Sequence, residues 1–164
     1  ESFRLDEALR SVAVIGWTML VFGIVLYWSD QAGEATREAR DWSLRDAMVM
    51  GVWQAIALIP GTSRSGITIT GARFMGYGRS DAARLSMLMS IPVIIESGVF
   101  LGAEAIYTAN VGLIRDSAIA AAFAFVSALL ALTLMMRLLR SVSFTPYVIY
   151  RIVLGIVLLV VAYS

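Results

Sequence analysis

Four long stretches of this sequence carry so little charge that they suit hydrocarbon better than water. Residues 11–28 run for 18 positions without a charged side chain, close to the roughly 20 that a helix needs to cross a bilayer core. Tyr27 and Trp28 close that stretch, where an interfacial aromatic belt is expected. Residues 80–107, 116–140 and 146–163 repeat the pattern, the second ending in Arg137 and Arg140. The apolar residues, 59% of the chain, are spread along it, so no one stretch reads as a cleavable leader. An all-α, polytopic integral membrane protein with about four transmembrane helices is the expected fold class, in a single membrane domain over residues 1–164.

Between the first and second stretches lies a segment that fits neither water nor a simple span. Residues 29–45 carry Asp30, Glu34, Arg37, Glu38, Arg40 and Asp41 and read as a connection in water or headgroups. Residues 47–59 are then apolar but too short to cross, and so are residues 67–77, which include Arg73. One kinked helix over both would hold Pro60, Gly61 and Gly66 in its interior, where a proline alone costs about 3 kcal/mol. A re-entrant helix-loop-helix hairpin over residues 46–77 is the better reading, with residues 60–66 at its tip. Irregular backbone at membrane depth persists when it is buried in protein or lines a wet cavity.

The tip, Pro60-Gly61-Thr62-Ser63-Arg64-Ser65-Gly66, has the chemistry of an anion cradle. Gly61 and Gly66 permit positive φ and close approach of a ligand to the backbone. A helix beginning near Ser65 aims free N–H groups and its positive dipole end into the loop. Arg64 adds a planar donor fork that matches phosphate oxygens, and Thr62, Ser63, Ser65 and Thr68 add neutral donors. An arginine at mid-membrane costs about 2.5 to 3.5 kcal/mol on insertion scales, so it needs a partner. The competing reading pairs Arg64 with Glu96, a buried acid four residues after Pro92, and leaves Gly71 and Gly76 to close helix packing. Arg151, five residues after Pro146, is a secondary candidate with Glu96. It either joins the site or snorkels to the headgroups.

Several chemistries are excluded. Cysteine and histidine are both absent, which removes a Cys/His zinc site, a thiol nucleophile and a histidine base. The tip has no Gly-Lys-Ser/Thr, so it is not a Walker loop, and it lacks the last glycine of a nucleophile elbow. The membrane segments hold no acidic cluster at metal spacing. No metal ligands and no nucleic-acid partner are expected. A hairpin returning to its entry face would gather Arg37, Arg40, Arg45, Arg73, Arg79, Arg84, Arg137 and Arg140 there, against Arg4, Arg10 and Arg115 opposite; the positive-inside rule makes the richer face cytoplasmic. Arg73 and Arg84 are expected at that interface.

The segment from Ala57 through Pro60-Gly61-Thr62-Ser63-Arg64-Ser65-Gly66 to Gly71, and the ending Val142-Ser143-Phe144-Thr145-Pro146-Tyr147-Val148-Ile149-Tyr150-Arg151, resemble the bacterial undecaprenyl-diphosphate phosphatases of the bacitracin-resistance family. The resemblance covers essentially the whole chain but only part of the family protein. It implies an inverted-repeat architecture, of which this chain supplies one span of the first repeat and the complete second repeat. The glutamate-rich motif of the first repeat and its Pro-x-Ser-Ser turn are then missing, and the chain is expected to be catalytically incomplete alone. The implied substrate is a polyprenyl diphosphate lipid in the bacterial cytoplasmic membrane, hydrolysed to recycle a cell-wall lipid carrier. Arg64 and Ser63 would be catalytic in that scheme, with Gly61, Thr62, Ser65, Gly66 and Thr68 on the phosphates. The nucleophile is either a serine of the missing motif or an activated water. Dependence on Mg or Ca is implied by the resemblance alone, and a second copy of the chain is a further candidate partner. The alternative function is an inverted-repeat transporter or flippase for a phosphorylated lipid or anion. A purely structural membrane subunit explains Arg64 worst.

Overall fold

The computed structural model describes residues 12–32, 34–107, 111–138 and 142–164. Arg4, Arg10, Ser11 and Arg140, used above for orientation and span limits, lie outside the described residues. Among the described residues six α-helices follow in order: α1 (Val12–Ala32), α2 (Leu44–Ile56), α3 (Arg64–Phe74), α4 (Arg79–Tyr107), α5 (Val111–Leu138) and α6 (Thr145–Tyr163). A short 3-10 turn, Ala39–Asp41, precedes α2. Among the described residues there is no strand beyond one isolated bridge between Arg37 and Tyr77. Four stretches within these helices are long and apolar enough to cross a membrane: Val12–Ala32, Arg79–Ala103, Arg115–Leu138 and Thr145–Tyr163. The molecule is an all-helical, multi-pass membrane protein.

The chain divides into two units, with the boundary inside α4 between Ser86 and Met87. The first holds α1, α2, α3, the start of α4 and α6; the second holds the rest of α4 and α5. In the second unit almost every described side chain is exposed, as suits helices whose apolar surfaces face lipid.

In the first unit α1 packs along α6 through small residues. A β-carbon on Gly16 would stand 2.8 Å from Leu159 and 3.1 Å from the Gly155 carbonyl, so the two backbones approach as only small residues allow. Helices α2 and α3 form the arms of the hairpin. Gly71 of α3 faces the Trp53 indole of α2 at a distance that leaves no room for a β-carbon, which would meet Cδ1 at 2.6 Å. Ser43 caps α2 in a reciprocal box, its hydroxyl accepting from the Asp46 N–H at 3.2 Å and the Asp46 carboxylate accepting from the Ser43 N–H at 3.0 Å. This box satisfies two of the donors that every helix start leaves open.

Two ionic clusters fix the hairpin's base. Arg37 binds Asp46 through both guanidinium ends, at 3.0 and 2.7 Å, and the Tyr77 hydroxyl donates to the same carboxylate at 3.1 Å. The Arg37 guanidinium above all, and then the Ser43 and Tyr77 donors, outweigh the upward push of burial and hold the Asp46 carboxyl well below the usual carboxylate range. The second cluster corrects the sequence reading. Helix α1 continues to Ala32, and Asp30 is buried, only 2% exposed, rather than lying in a solvated connection. Its carboxylate takes Arg79 at 2.7 and 3.1 Å and the Phe144 N–H at 3.3 Å, with the Arg73 Nε at 3.4 Å. Arg73 is also buried, donating to the main-chain carbonyls of Tyr77 and Asp30 at 2.7 and 2.9 Å. It is thus enclosed by protein at the hairpin's base, whereas Arg84 is exposed. Asp30 tolerates burial because two guanidiniums and an amide face it. The cluster ties the end of α1 to α3 and to the starts of α4 and α6.

Candidate functional site

The hairpin tip forms where α2 can no longer continue. Successive i to i−3 bonds tighten its last turn: Ala57 to Gln54 at 3.0 Å, Leu58 to Ala55 at 3.1 Å and Ile59 to Ile56 at 3.1 Å. Pro60 then offers no N–H. Its carbonyl accepts instead from the Thr18 hydroxyl of α1 at 2.7 Å. Gly61 has φ +85°, and a β-carbon there would run into the Thr18 hydroxyl and the Ile15 carbonyl. Only glycine fits both the backbone angle and the contact.

Ser63 caps α3, accepting from the Gly66 N–H at 3.3 Å, and does so at φ +66°, ψ 112°. It is the one non-glycine residue with positive φ among those described. Such a conformation costs about 1–3 kcal/mol and concentrates at functional sites. The N–H groups of Arg64 and Ser65, at the first two positions of α3, have no intrahelical acceptor. Together with the aligned peptides behind them they make a positive pole. The Arg64 side chain is half-buried, and no ion pair or hydrogen bond engages its guanidinium among the described residues. Thr62 is fully buried, and its hydroxyl lacks a partner among those residues.

A second cation reaches the tip from α6. Arg151 is 2% exposed and donates through Nη2 to the Gly61 carbonyl at 2.8 Å. Its Nη1 lies 3.1 Å from where a β-carbon on Gly66 would stand, and 3.5 Å from the Tyr147 hydroxyl. Between the two positions left open for Arg151, the structure has it turned to the tip and not to the headgroups. Tyr147 lies 3.2 Å from the Ser63 hydroxyl, which is 3.5 Å from that of Ser65. Thr68 turns away: its hydroxyl donates to the Arg64 carbonyl at 2.9 Å and lies 2.6 Å from that of Ser86. Gly61, Thr62, Ser63, Arg64, Ser65, Gly66 and Arg151 are thus brought together at the tip, with Thr68 one turn behind. Glu96 belongs to the second unit, where its side chain is exposed on α4 and makes none of the ion pairs found among the described residues.

Sequence reasoning missed Thr18, Tyr147 and Ser86 as parts of this arrangement. Tyr147 carried one signal: it precedes Arg151 by four residues on a helix, so the two share a face. Thr18 and Ser86 carried none, since each meets the tip only through the tertiary fold. No group of three acidic side chains able to hold a metal ion occurs among the described residues. The tip offers N–H and O–H donors and two guanidiniums, a set that suits anion oxygens and does not fit a divalent cation.

The chain is similar to known proteins over nearly its whole length. The chain is 72% identical over 160 residues to an undecaprenyl-diphosphatase of Ruegeria pomeroyi, a match covering 98% of this chain and 60% of that protein. Proteins of the same name from Dinoroseobacter shibae and Jannaschia are 71% and 68% identical, over 98% and 96% of this chain and 60% and 59% of theirs. The chain thus spans about three fifths of the length of these relatives. A family model described as bacitracin resistance protein BacA matches residues 2–157, and the chain belongs to that family.

Proposed function

We propose that the full-length protein to which this chain contributes hydrolyses undecaprenyl diphosphate to undecaprenyl phosphate and phosphate in the bacterial cytoplasmic membrane, and that this chain supplies the phosphate clamp. The observation that carries the proposal is Arg151: a buried guanidinium from α6 reaches the tip of a hairpin that already has, at the start of α3, an arginine with no ion pair among the described residues. Two permanent cations and a helix N-terminus are a poor arrangement for packing alone, since like charges repel. They suit a ligand that carries several negative oxygens. The name and the high identity of the relatives supply the substrate class.

In this reading Arg64 grips the terminal phosphate and steadies the charge that passes to the bridging oxygen as its bond to the terminal phosphorus breaks, and the free N–H groups of Arg64 and Ser65 cradle the terminal oxygens. Ser63 and Ser65 donate hydroxyls at the rim. Arg151 anchors the Gly61 carbonyl with one arm and leaves its other edge beside Gly66, where it neutralises the ligand from behind. Thr68, bonded to Ser86, positions the first turn of α3. Water attacks the terminal phosphorus directly, or a serine hydroxyl attacks it and water then cleaves the resulting phosphoserine ester; by either route the P–O bond to the lipid monophosphate breaks and phosphate is released. The nucleophile and the base that takes its proton are assigned to the part of the relatives' length that this chain does not span.

The test is phosphate release from undecaprenyl diphosphate by the full-length protein in detergent, wild type against Arg64→Ala. Loss of a charge-assisted contact made to the transition state predicts a fall of about a hundredfold or more in kcat/KM. Undiminished hydrolysis in Arg64→Ala would remove the clamp assignment.

A further inference from the structure

We propose that Tyr147 is a positioning residue of the phosphate site: its phenol donates to the Ser63 hydroxyl oxygen and so turns the Ser63 proton outward, toward a phosphate oxygen. The inference rests on the clamp reading above and adds a residue to it. Its basis is the direction in which hydrogen bonds can run through this group. Arg151 has donors and no acceptor, so in its 3.5 Å contact the phenol oxygen of Tyr147 must accept. The contact is long, but the guanidinium also lies over the Tyr147 ring, 5.9 Å from its centroid, which holds the two groups in register. With its oxygen facing the cation, Tyr147 has its proton free for the one other partner in reach among the described residues, the Ser63 hydroxyl at 3.2 Å. A phenol is also a better donor than an alkyl hydroxyl, having the more acidic proton.

Ser63 then accepts twice, from Tyr147 and from the Gly66 N–H at 3.3 Å. Both lone pairs of its oxygen are occupied, and only its proton remains to be shared. The next hydroxyl, that of Ser65, stands at 3.5 Å, at the far limit of a hydrogen bond, so the proton is available to a ligand. Ser63 is thereby a donor to an anion and a poor nucleophile. The positive φ of Ser63 belongs to the same arrangement, since it directs the side chain to the rim where Tyr147 and the start of α3 meet. Tyr147 itself remains partly exposed, 39%, beside a buried Arg151, so a charged headgroup can approach the pair.

The experiment uses the full-length protein and compares wild type, Tyr147→Phe, Ser63→Ala and the double variant. Tyr147→Phe keeps the ring under Arg151 and removes one hydroxyl. Two quantities are measured: kcat and KM for undecaprenyl diphosphate, and the dissociation constant of its non-hydrolysable methylene-bridged analogue. Tyr147→Phe is expected to weaken analogue binding and raise KM roughly three- to tenfold, the size of one modest hydrogen bond, with kcat nearly unchanged. The double variant is expected to bind no worse than Ser63→Ala, because Tyr147 acts through Ser63. Wild-type binding by Tyr147→Phe, a loss confined to kcat, or fully multiplying losses in the double variant would overturn the assignment. If wild type binds the analogue with this pattern but releases no phosphate, Tyr147 keeps its role and the hydrolase reading fails. If wild type does not bind the analogue, both fail.

Discussion

Replacing Ser63 by glycine and by alanine separates what this residue does for folding from what it does for a ligand. Ser63 holds φ +66°, a conformation that costs a residue with a β-carbon about 1–3 kcal/mol. Glycine removes that cost, loses only a few tenths of a kcal/mol as a cap, and gives back about 0.5–1 kcal/mol through the freer unfolded chain. The net is a gain of about 1 kcal/mol. Alanine keeps the β-carbon and its strain but loses the hydroxyl that accepts from Gly66, a capping loss of about 1 kcal/mol. The two variants should therefore differ by about 2 kcal/mol, with glycine above wild type and alanine below it, read as Tm of the detergent-solubilised full-length protein. In phosphate release both should fall about tenfold or more, since each removes a donor to a charged oxygen. Alanine as stable as glycine would refute the strain argument, and wild-type hydrolysis by either variant would refute the donor role.

Gly61→Ala should destabilise the full-length protein by about 3 kcal/mol, combining the penalty of positive φ with overpacking against Thr18 and Ile15; a Tm within a degree of wild type would contradict the tip geometry. The Asp46 carboxyl lies below its ordinary range in the folded protein because of Arg37. Its ionic contribution is therefore fully present above the unfolded carboxylate value near pH 4 and is lost as pH falls from there through the folded value. Melting curves of wild type should drop more steeply below about pH 4 than those of Asp46→Asn, and parallel curves would contradict the assignment.

The hairpin was legible from the sequence because two constraints acted locally. Arms too short to span and a Pro-Gly pair between them leave few backbone solutions in a low-dielectric setting. The local make-up of the tip was legible for the same reason: the positive-φ glycine, the cap and the arginine that starts α3 are near neighbours in sequence. What the sequence did not disclose is long-range. Asp30 reads as solvated because its neighbours at residues 34–41 are polar, yet Arg73 and Arg79 enclose it. Arg151 reads equally as an interfacial anchor or a site residue until the packing of α6 along α1, through Gly155 and Gly16, sets its depth. Thr18 meets Pro60 across 42 residues and Tyr147 meets Ser63 across 84, and neither distance leaves a trace in local pattern.

The central claim is that two arginines, one on each of two helices, bind a diphosphate together. The most direct measurement is the affinity of the full-length protein for the methylene-bridged analogue of undecaprenyl diphosphate, by calorimetry, in wild type, Arg64→Gln and Arg151→Gln. Each substitution removes one charged contact and should weaken binding about ten- to a hundredfold. Unchanged affinity in both variants, with the fold intact by Tm, would contradict the account.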